Sequence, residues 1–420
     1  MTKLVNCEAE LVFDPTRPVR LDCREFVDRK YEWYSLLLDQ APICPARISL
    51  LRLFVVSRYE DCRSVLTDER FMRNRGSALG KPSSGPLPFP VPRSIAALSN
   101  GMIVQDDPEH QRLRSLVNQA FTARAVEQLE GRIEDLAAEL LVDLKRRAKS
   151  GPVDLLADYA RPVPARVIGE MLGVEAKDMA NFQDAMSVLA EGLSGWRVFR
   201  TLFWDLRGVV KFVRALIVRK RARPADDLLS RLIEVEEEGD RLSEDELLAM
   251  VFLLVAAGFE TTLHLIVNGA RTLMEAPNVR ERLRKDPLLW GAAVDEIVRF
   301  RGPVHGTKLQ YAACDLEIHG TKIRRGQAVM PLLGAANMDP RVFPSPEKFQ
   351  IDRTPNHHLG FGFGRHFCLG RSLALTEGRV AMKTLFEEFP DIRLAVPKEE
   401  LELSLLPGWH RHIRLPVQLN

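Results

Sequence analysis

The chain has 420 residues and carries 59 Lys and Arg against 57 Asp and Glu, a formal charge of +2, so nucleic acid is not expected as a partner drawn by global charge. Its length exceeds that of a usual single domain, yet no Pro/Gly/Ser linker separates two complete patterns, and one domain spanning 1–420 is expected. Six cysteines, at 7, 23, 44, 62, 314 and 368, lack the spacing of a disulfide framework, which suits a reducing compartment.

Residues 1–30 carry charges throughout and hold neither an apolar signal core nor a membrane span, so a soluble, cytoplasmic protein is expected. Phe54–Ser57 reads as a strand and Lys81–Pro92 as a proline-rich loop. Helical periodicity then dominates, over 108–120, 125–148, 165–175, 206–222, 243–274 and 289–300, with a further helix over 369–388. Ser243-x-x-Glu246 is a capping box at the head of the longest of these, and its apolar run Leu247–Phe259 is too short for a bilayer and reads as core. The strand-like stretches Leu316–Ile318, Lys322–Ile323 and Val329–Leu332 are short, and a last hairpin is expected near 400–418. The fold class is therefore mainly α with a small β region.

Four constellations carry chemistry. His110 and Arg114 are four apart, so both project from one helix face and can clamp a pair of carboxylates; a plain basic surface strip is the bland alternative. In Ala257-Gly258-Phe259-Glu260-Thr261-Thr262 an interior glycine and a back-bonding threonine mark a weak point in an apolar helix, and an acid and an alcohol sit at that point. Glu296-x-x-Arg299 is an i,i+3 ion pair. Finally, Cys368 stands between the bend Gly360-Phe361-Gly362-Phe363-Gly364 and an apolar helix. Glycine permits positive φ there, and a helix N-terminus favours an anionic sulfur, so the position suits a metal-binding thiolate. Zinc would want a second cysteine pair, and a dinucleotide loop would want G-x-G-x-x-G; neither is present around Cys368.

Residues 361–374 match F-G-x-G-x-H-x-C-x-G-x-x-L-A, and with the A-G-x-E-T and E-x-x-R motifs in order the chain resembles the cytochrome P450 family, of the soluble bacterial type. The resemblance implies a helical, triangular-prism-like fold with haem between the long distal helix and the helix after the cysteine loop. It implies haem b as cofactor and O2 as co-substrate, with Cys368 the axial iron ligand in a loop shaped by Phe361, Gly362 and Gly370. Ala257 and Gly258 would make room for oxygen, Glu260 and Thr261 would deliver protons, and His110, Arg114 and His366 would hold the propionates. Glu296 and Arg299 would lock the helix to the loop behind the thiolate, with Lys348 where an arginine often completes a triad. The arginine that reaches a propionate after P-V-x-x-T is missing; Leu309 or Gln310 stands in its place, with Lys308 beside them.

The implied activity is a monooxygenase of secondary metabolism that hydroxylates or epoxidises a lipophilic small molecule of terpenoid, steroid, fatty-acyl or polyketide type. A peroxide-driven enzyme of the same family and a non-catalytic haem or gas sensor are the rivals. The pocket regions are Ser77–Ile103, Met186–Phe203, Val255–Thr261, Val304–Gly306 and Leu405–Trp409, with Val304 and His305 as candidate substrate contacts. A ferredoxin would supply electrons, steered to a basic patch of Arg112, Arg365 and Arg371. A monomer is expected.

Overall fold

Two glycines set the central packing. Helix α9 (Glu244–Met274) opens on the expected capping box, in which the Ser243 N–H donates to the Glu246 carboxylate at 2.8 Å and the Glu246 N–H donates to the Ser243 hydroxyl at 3.3 Å. By length and composition this helix could cross a membrane, more than its longest apolar run suggests, yet it lies mostly buried at the centre of the protein. Helix α12 (Arg371–Glu388) runs beside it. A methyl on Gly378 would come 3.0 Å from Leu265 Cδ2, and one on Gly269 would strike the Met382 sulfur. Only hydrogen at these two positions lets the backbones approach. Both contacts advance by four residues along each chain, so the helices run parallel.

The computed structural model describes residues 11, 13–81, 101–121, 126–192, 206–237 and 240–419. Around α9 and α12 stand the other long helices: α1 (Lys30–Gln40), α2 (Tyr59–Thr67), α3 (Glu109–Ala120), α4 (Glu130–Ala148), α5 (Pro162–Met171), α6 (Ala176–Gly192), α7 (Leu206–Ala222), α8 (Leu228–Glu234), α10 (Pro277–Lys285) and α11 (Trp290–Arg301). The apolar periodicity locates α3, α4, α7, α9, α11 and α12 to within a few residues. It misplaces α5, which starts earlier than 165 because Pro162 suits a first helical turn, and stops at Gly173, whose φ of +65° breaks the helix.

Six short strands form one sheet in the order β1-β2-β3-β6-β5-β4: β1 (Val19–Arg20), β2 (Ile43–Ile48), β3 (Leu51–Val56), β4 (Phe71–Met72), β5 (Gln310–Ala312) and β6 (Ala328–Pro331). β6 joins β3 in parallel and β5 antiparallel, which brings the chain after residue 303 back beside its N-terminal part. Leu316–Ile318 pairs with Thr321–Ile323 as expected. The hairpin expected near 400–418 forms only in its inner part, where Leu403 bridges His412 and the Ser404 and Ile413 N–H groups donate to the Arg411 and Glu402 carbonyls at 2.8 and 3.0 Å. Beyond it the chain leaves the hairpin: β8 (Pro416–Gln418) lies between β7 (Arg393–Leu394) and Val153–Asp154. The alternation of apolar residues there is real, but its partners are distant in sequence. One large apolar cluster fills the helical part from Met102 to Leu419, and two smaller ones lie against the sheet around Tyr34 and around Tyr59. The expected loop at 81–92 and most of the two pocket regions 77–103 and 186–203 lie outside the described residues.

Candidate active site

The cysteine loop is shaped by its glycines. Gly362 and Gly364 hold φ of +75° and +71°, as expected, while Gly360 does not; what it needs is space, since a methyl there would strike Val298. The Gly362 N–H donates to the Leu359 carbonyl at 2.8 Å and the Cys368 N–H to the Phe361 carbonyl at 2.9 Å, which folds the loop back and delivers Cys368 to the head of α12. Burial pushes the Cys368 thiol up; a hydrogen bond from the Gly370 backbone and the charges of Arg114 and Arg371 oppose it without winning. The helix N-terminus alone therefore does not produce the anionic sulfur that its position suggests. A coordinating metal ion would.

Behind the loop, Glu296 and Arg299 are fully buried and interlocked. Arg299 donates Nε and Nη2 to the two Glu296 oxygens at 2.8 and 2.7 Å, and its remaining hydrogens reach the carbonyls of Asn337, Pro346 and Lys348 at 2.9, 3.0 and 3.1 Å. Lys348 contributes only that carbonyl. The third member is Arg353, whose Nε reaches Glu296 at 3.3 Å, while the Gln350 N–H and Asn356 side chain bond the same carboxylate at 3.0 and 3.2 Å. The expectation of a lysine completing this triad, and of a weaker lock, is thus corrected. Arg353 lay in plain view at the end of Phe349-Gln-Ile-Asp-Arg353, but its direction depends on the backbone turn at 350–353.

His110, Arg114 and His366 come together as expected, and they share a deficit. His110 and His366 rings lie 4.1 Å apart between centroids, and both Nε2 atoms are buried without a partner. Asp107 takes His110 Nδ1 at 3.1 Å and also pairs with Arg365. Among the described residues Arg114 has no hydrogen-bond or ion-pair partner, and its guanidinium is partly desolvated beside Cys368. Burial and neighbouring positive charge drive the His366 imidazole down to about 2, so it stays neutral and presents a donor rather than a charge. Buried polar atoms normally find partners, and a cluster of them left over beside the Arg114 guanidinium marks the seat of an anionic ligand.

A slot opens beside this cluster. The register that sets Leu265 by Gly378 and Gly269 by Met382, carried two turns towards the N-termini, sets Ala257 against Gly370 and Thr261 against Ala374. There the helices no longer touch. Ala257 is exposed in the middle of a core helix, Gly258 and Thr261 are half-buried, and a methyl on Gly370 would meet nothing within 4 Å. A flat group faced by the thiol, with carboxylates reaching the open donors, fits this space, and haem is such a group.

On the slot wall the Thr261 hydroxyl donates to the Ala257 carbonyl at 2.5 Å, the back-bond expected at this weak point. Glu260 turns elsewhere. Arg411 Nη2 lies 2.8 Å from its Oε1, although the aligned hydrogen bond is the one from Nη1 to Oε2 at 3.4 Å. Burial still raises the carboxyl against the pull of Arg411 and Arg161. Arg411 is 151 residues away in sequence, and no local signal announces the pair.

Two expectations change. His305, a candidate substrate contact, has Nδ1 3.0 Å from the Tyr34 hydroxyl and lies against the Gly302 carbonyl, so its ring nitrogens are occupied inside the protein. Val304 is half-buried and bridges to Trp409. The basic patch also dissolves. Arg112 pairs with Asp240 and Glu246, Arg365 with Asp107, and Arg371 with Asp295 at 2.9 Å while it covers the Phe361 ring.

Comparison with known proteins agrees with this geometry. The family model described as Cytochrome P450 matches residues 52–404. The polyketide biosynthesis cytochrome P450 PksS of Bacillus subtilis is 37% identical over 373 residues, covering 87% of this chain and 89% of that protein. The 6-deoxyerythronolide B hydroxylase of Saccharopolyspora erythraea is 36% identical over 398 residues, covering 93% and 96%. The solved structure of PksS superposes with a TM-score of 0.87 at 34% identity, covering 95% of this chain and 99% of that one.

Proposed function

The chain belongs to the cytochrome P450 family, and from that premise we propose that it is a monooxygenase inserting one atom of dioxygen into a C–H or C=C bond of a polyketide-type molecule. Two relatives act, by their names, on polyketide biosynthesis and on 6-deoxyerythronolide B, which supports that substrate class; a third, named vitamin D(3) 25-hydroxylase and 38% identical over 392 residues, makes a steroid-type substrate the second reading. The observation that carries the reading is the open space beside Ala257 and Gly370, with Arg114 next to Cys368 and the unpartnered Nε2 atoms of His110 and His366 nearby.

In this reading Cys368 would bind the haem iron, Phe361, Gly362 and Gly370 shape its loop, and His110, Arg114 and His366 would hold the propionates. Bound there, haem b supplies a redox-active iron on which a thiolate ligand favours cleavage of the dioxygen O–O bond. The protein's part is protons and exclusion of water. With its hydrogen committed to the Ala257 carbonyl, Thr261 Oγ1 keeps two lone pairs that can accept from a water in the slot. Burial biases Glu260 towards carrying a proton, and Arg411 holds it away from the slot until the side chain rotates. Arg411 favours the carboxylate, so Glu260 takes up its proton as the side chain leaves Arg411 and delivers it on the Thr261 side. Glu296 and Arg299 act only through the rigidity of the loop.

P450 enzymes of this type take electrons from redox partners; a ferredoxin is our choice here, docking by shape since Arg112, Arg365 and Arg371 are already paired. The apolar cluster running from Met102 to Leu419 supports a single domain, and we take the protein to be monomeric and cytoplasmic.

The test is the absorption spectrum of the reduced, carbon monoxide-bound protein beside Cys368→Ala, followed by titration with macrolide aglycones and turnover with a ferredoxin system or with peroxide. A thiolate-type Soret band lost in the variant, a spin-state shift with the aglycones and product only with ferredoxin are expected. A histidine-type band in fresh protein would remove the assignment of Cys368, and turnover with peroxide alone would make the enzyme a peroxygenase.

A further inference from the structure

Arg73 follows the short strand β4, and nothing in the sequence marks it. β4 pairs antiparallel with β5, Phe71 opposite Ala312 and Met72 opposite Tyr311, and one further step of that register sets Arg73 against Gln310. Residues opposite one another across an antiparallel pair project from the same face. Along β5 the faces alternate: Leu309 and Tyr311 pack on the apolar cluster around Tyr34, whereas Gln310 is buried and Ala312 belongs to the cluster around Tyr59. The missing arginine position, open in the sequence between Leu309 and Gln310, therefore falls to Gln310. Its cross-strand neighbour is an arginine.

The surroundings of Arg73 describe a guanidinium held in place but not neutralised. Its backbone N–H donates to Asp106 at 2.7 Å, and its Nη1 donates to the Lys308 carbonyl at 2.7 Å. Nε is buried and has no partner. Asp106 is engaged by the backbone N–H groups of Arg73 and Asn74 rather than by the guanidinium. Asp106, which takes the Arg73 N–H, adjoins Asp107, which takes His110 Nδ1, so Arg73 stands at the rim of the cluster formed by His110, Arg114 and His366. Lys308 has no acidic partner either, and its amine is lowered by desolvation and by Arg73. More donors converge here than Asp106 and Asp107 can answer.

We propose that Arg73 is a haem-anchoring residue, supplying from β4 the propionate-binding guanidinium that Gln310 on the facing strand cannot supply. The role has crossed from one strand of a pair to the other, where the same face and nearly the same point in space are reached. Lys308 is secondary: its carbonyl positions Arg73.

This rests on haem seating at Cys368, which uptake of haem by the wild-type protein, read from its Soret absorbance, checks separately. The experiment is haem transfer from the holoprotein to excess apomyoglobin for wild type, Arg73→Ala, Arg73→Lys and the double variant Arg73→Ala/Gln310→Arg, with thermal unfolding of each apoprotein. Loss from Arg73→Ala should be about tenfold faster, that from Arg73→Lys intermediate, and the double variant should return towards wild type, with apoprotein midpoints unchanged. An unchanged rate in Arg73→Ala would overturn the proposal. So would failure of Gln310→Arg to restore it, or a fall in apoprotein stability that accounts for the faster loss.

Discussion

Arg299 is fully buried and Arg73 half-buried with its Nε shielded from water, and the two have opposite surroundings. Around Arg299 all five guanidinium hydrogens meet acceptors, and both oxygens of its partner Glu296 are bonded in turn by Arg353, Gln350 and Asn356. Around Arg73 a buried Nε, two buried imidazole Nε2 atoms and Arg114 have no partner among the described residues. Leaving a buried polar group unsatisfied costs about 1–3 kcal/mol, so a chain keeps such groups only where something else satisfies them. The saturated region is scaffold and the unsaturated region is site.

The largest test of that contrast is Arg299→Ala, which removes the bidentate partner of Glu296 and leaves the buried carboxylate to Arg353, Gln350 and Asn356. A loss of about 3–5 kcal/mol is expected, seen as collapse of folded yield or a large fall in the urea midpoint, with or without haem. A loss that haem repairs would put Arg299 in the site rather than the scaffold.

Glu377 probes the scaffold from the other side. It is fully buried on α12, its Oε2 has no partner, and burial lifts its pKa from 4.5 to about 8. A raised carboxyl stabilises the fold while it stays protonated, so stability should be greatest below the ordinary carboxylate range and fall as pH rises through about 8. Glu377→Gln should flatten that slope, a difference of a few kcal/mol by thermal unfolding across pH 5 to 9. Parallel profiles would mean that Glu377 is answered by an acceptor or donor that its position does not show.

Arg114→Ala should leave the apoprotein as stable as wild type but weaken haem retention by about tenfold or more, measured by transfer to apomyoglobin. Equal losses in apo and holo forms would erase the distinction between the two regions. The smallest effect is expected for Lys348→Ala, within about 0.5 kcal/mol, because the lock uses its carbonyl and not its amine. A clear loss would restore the lysine to the triad.

Much of the site was readable from the chain. Cys368, His366, His110 and Arg114 come together because each belongs to a local pattern whose geometry is local: positive φ at Gly362 and Gly364, and a four-residue step on α3. Glu296 and Arg299 were likewise identified by spacing. Their third partner was misread, since Lys348 and Arg353 differ only in which way a turn points them. His305 was misread for the same reason, its ring being claimed by Tyr34 on a helix 271 residues away.

What the sequence by itself determined is therefore the family, the helices of clear apolar period, the cysteine loop and the membership of the donor cluster. These follow from short-range sterics and periodicity, which any stretch of chain obeys alone. Only the tertiary structure decided that Glu260 faces Arg411, that the chain beyond the inner part of the hairpin near 400–418 joins distant strands, and that Arg73 stands across from Gln310. Those are contacts between residues far apart in sequence, fixed by burial and strand register that no local pattern encodes.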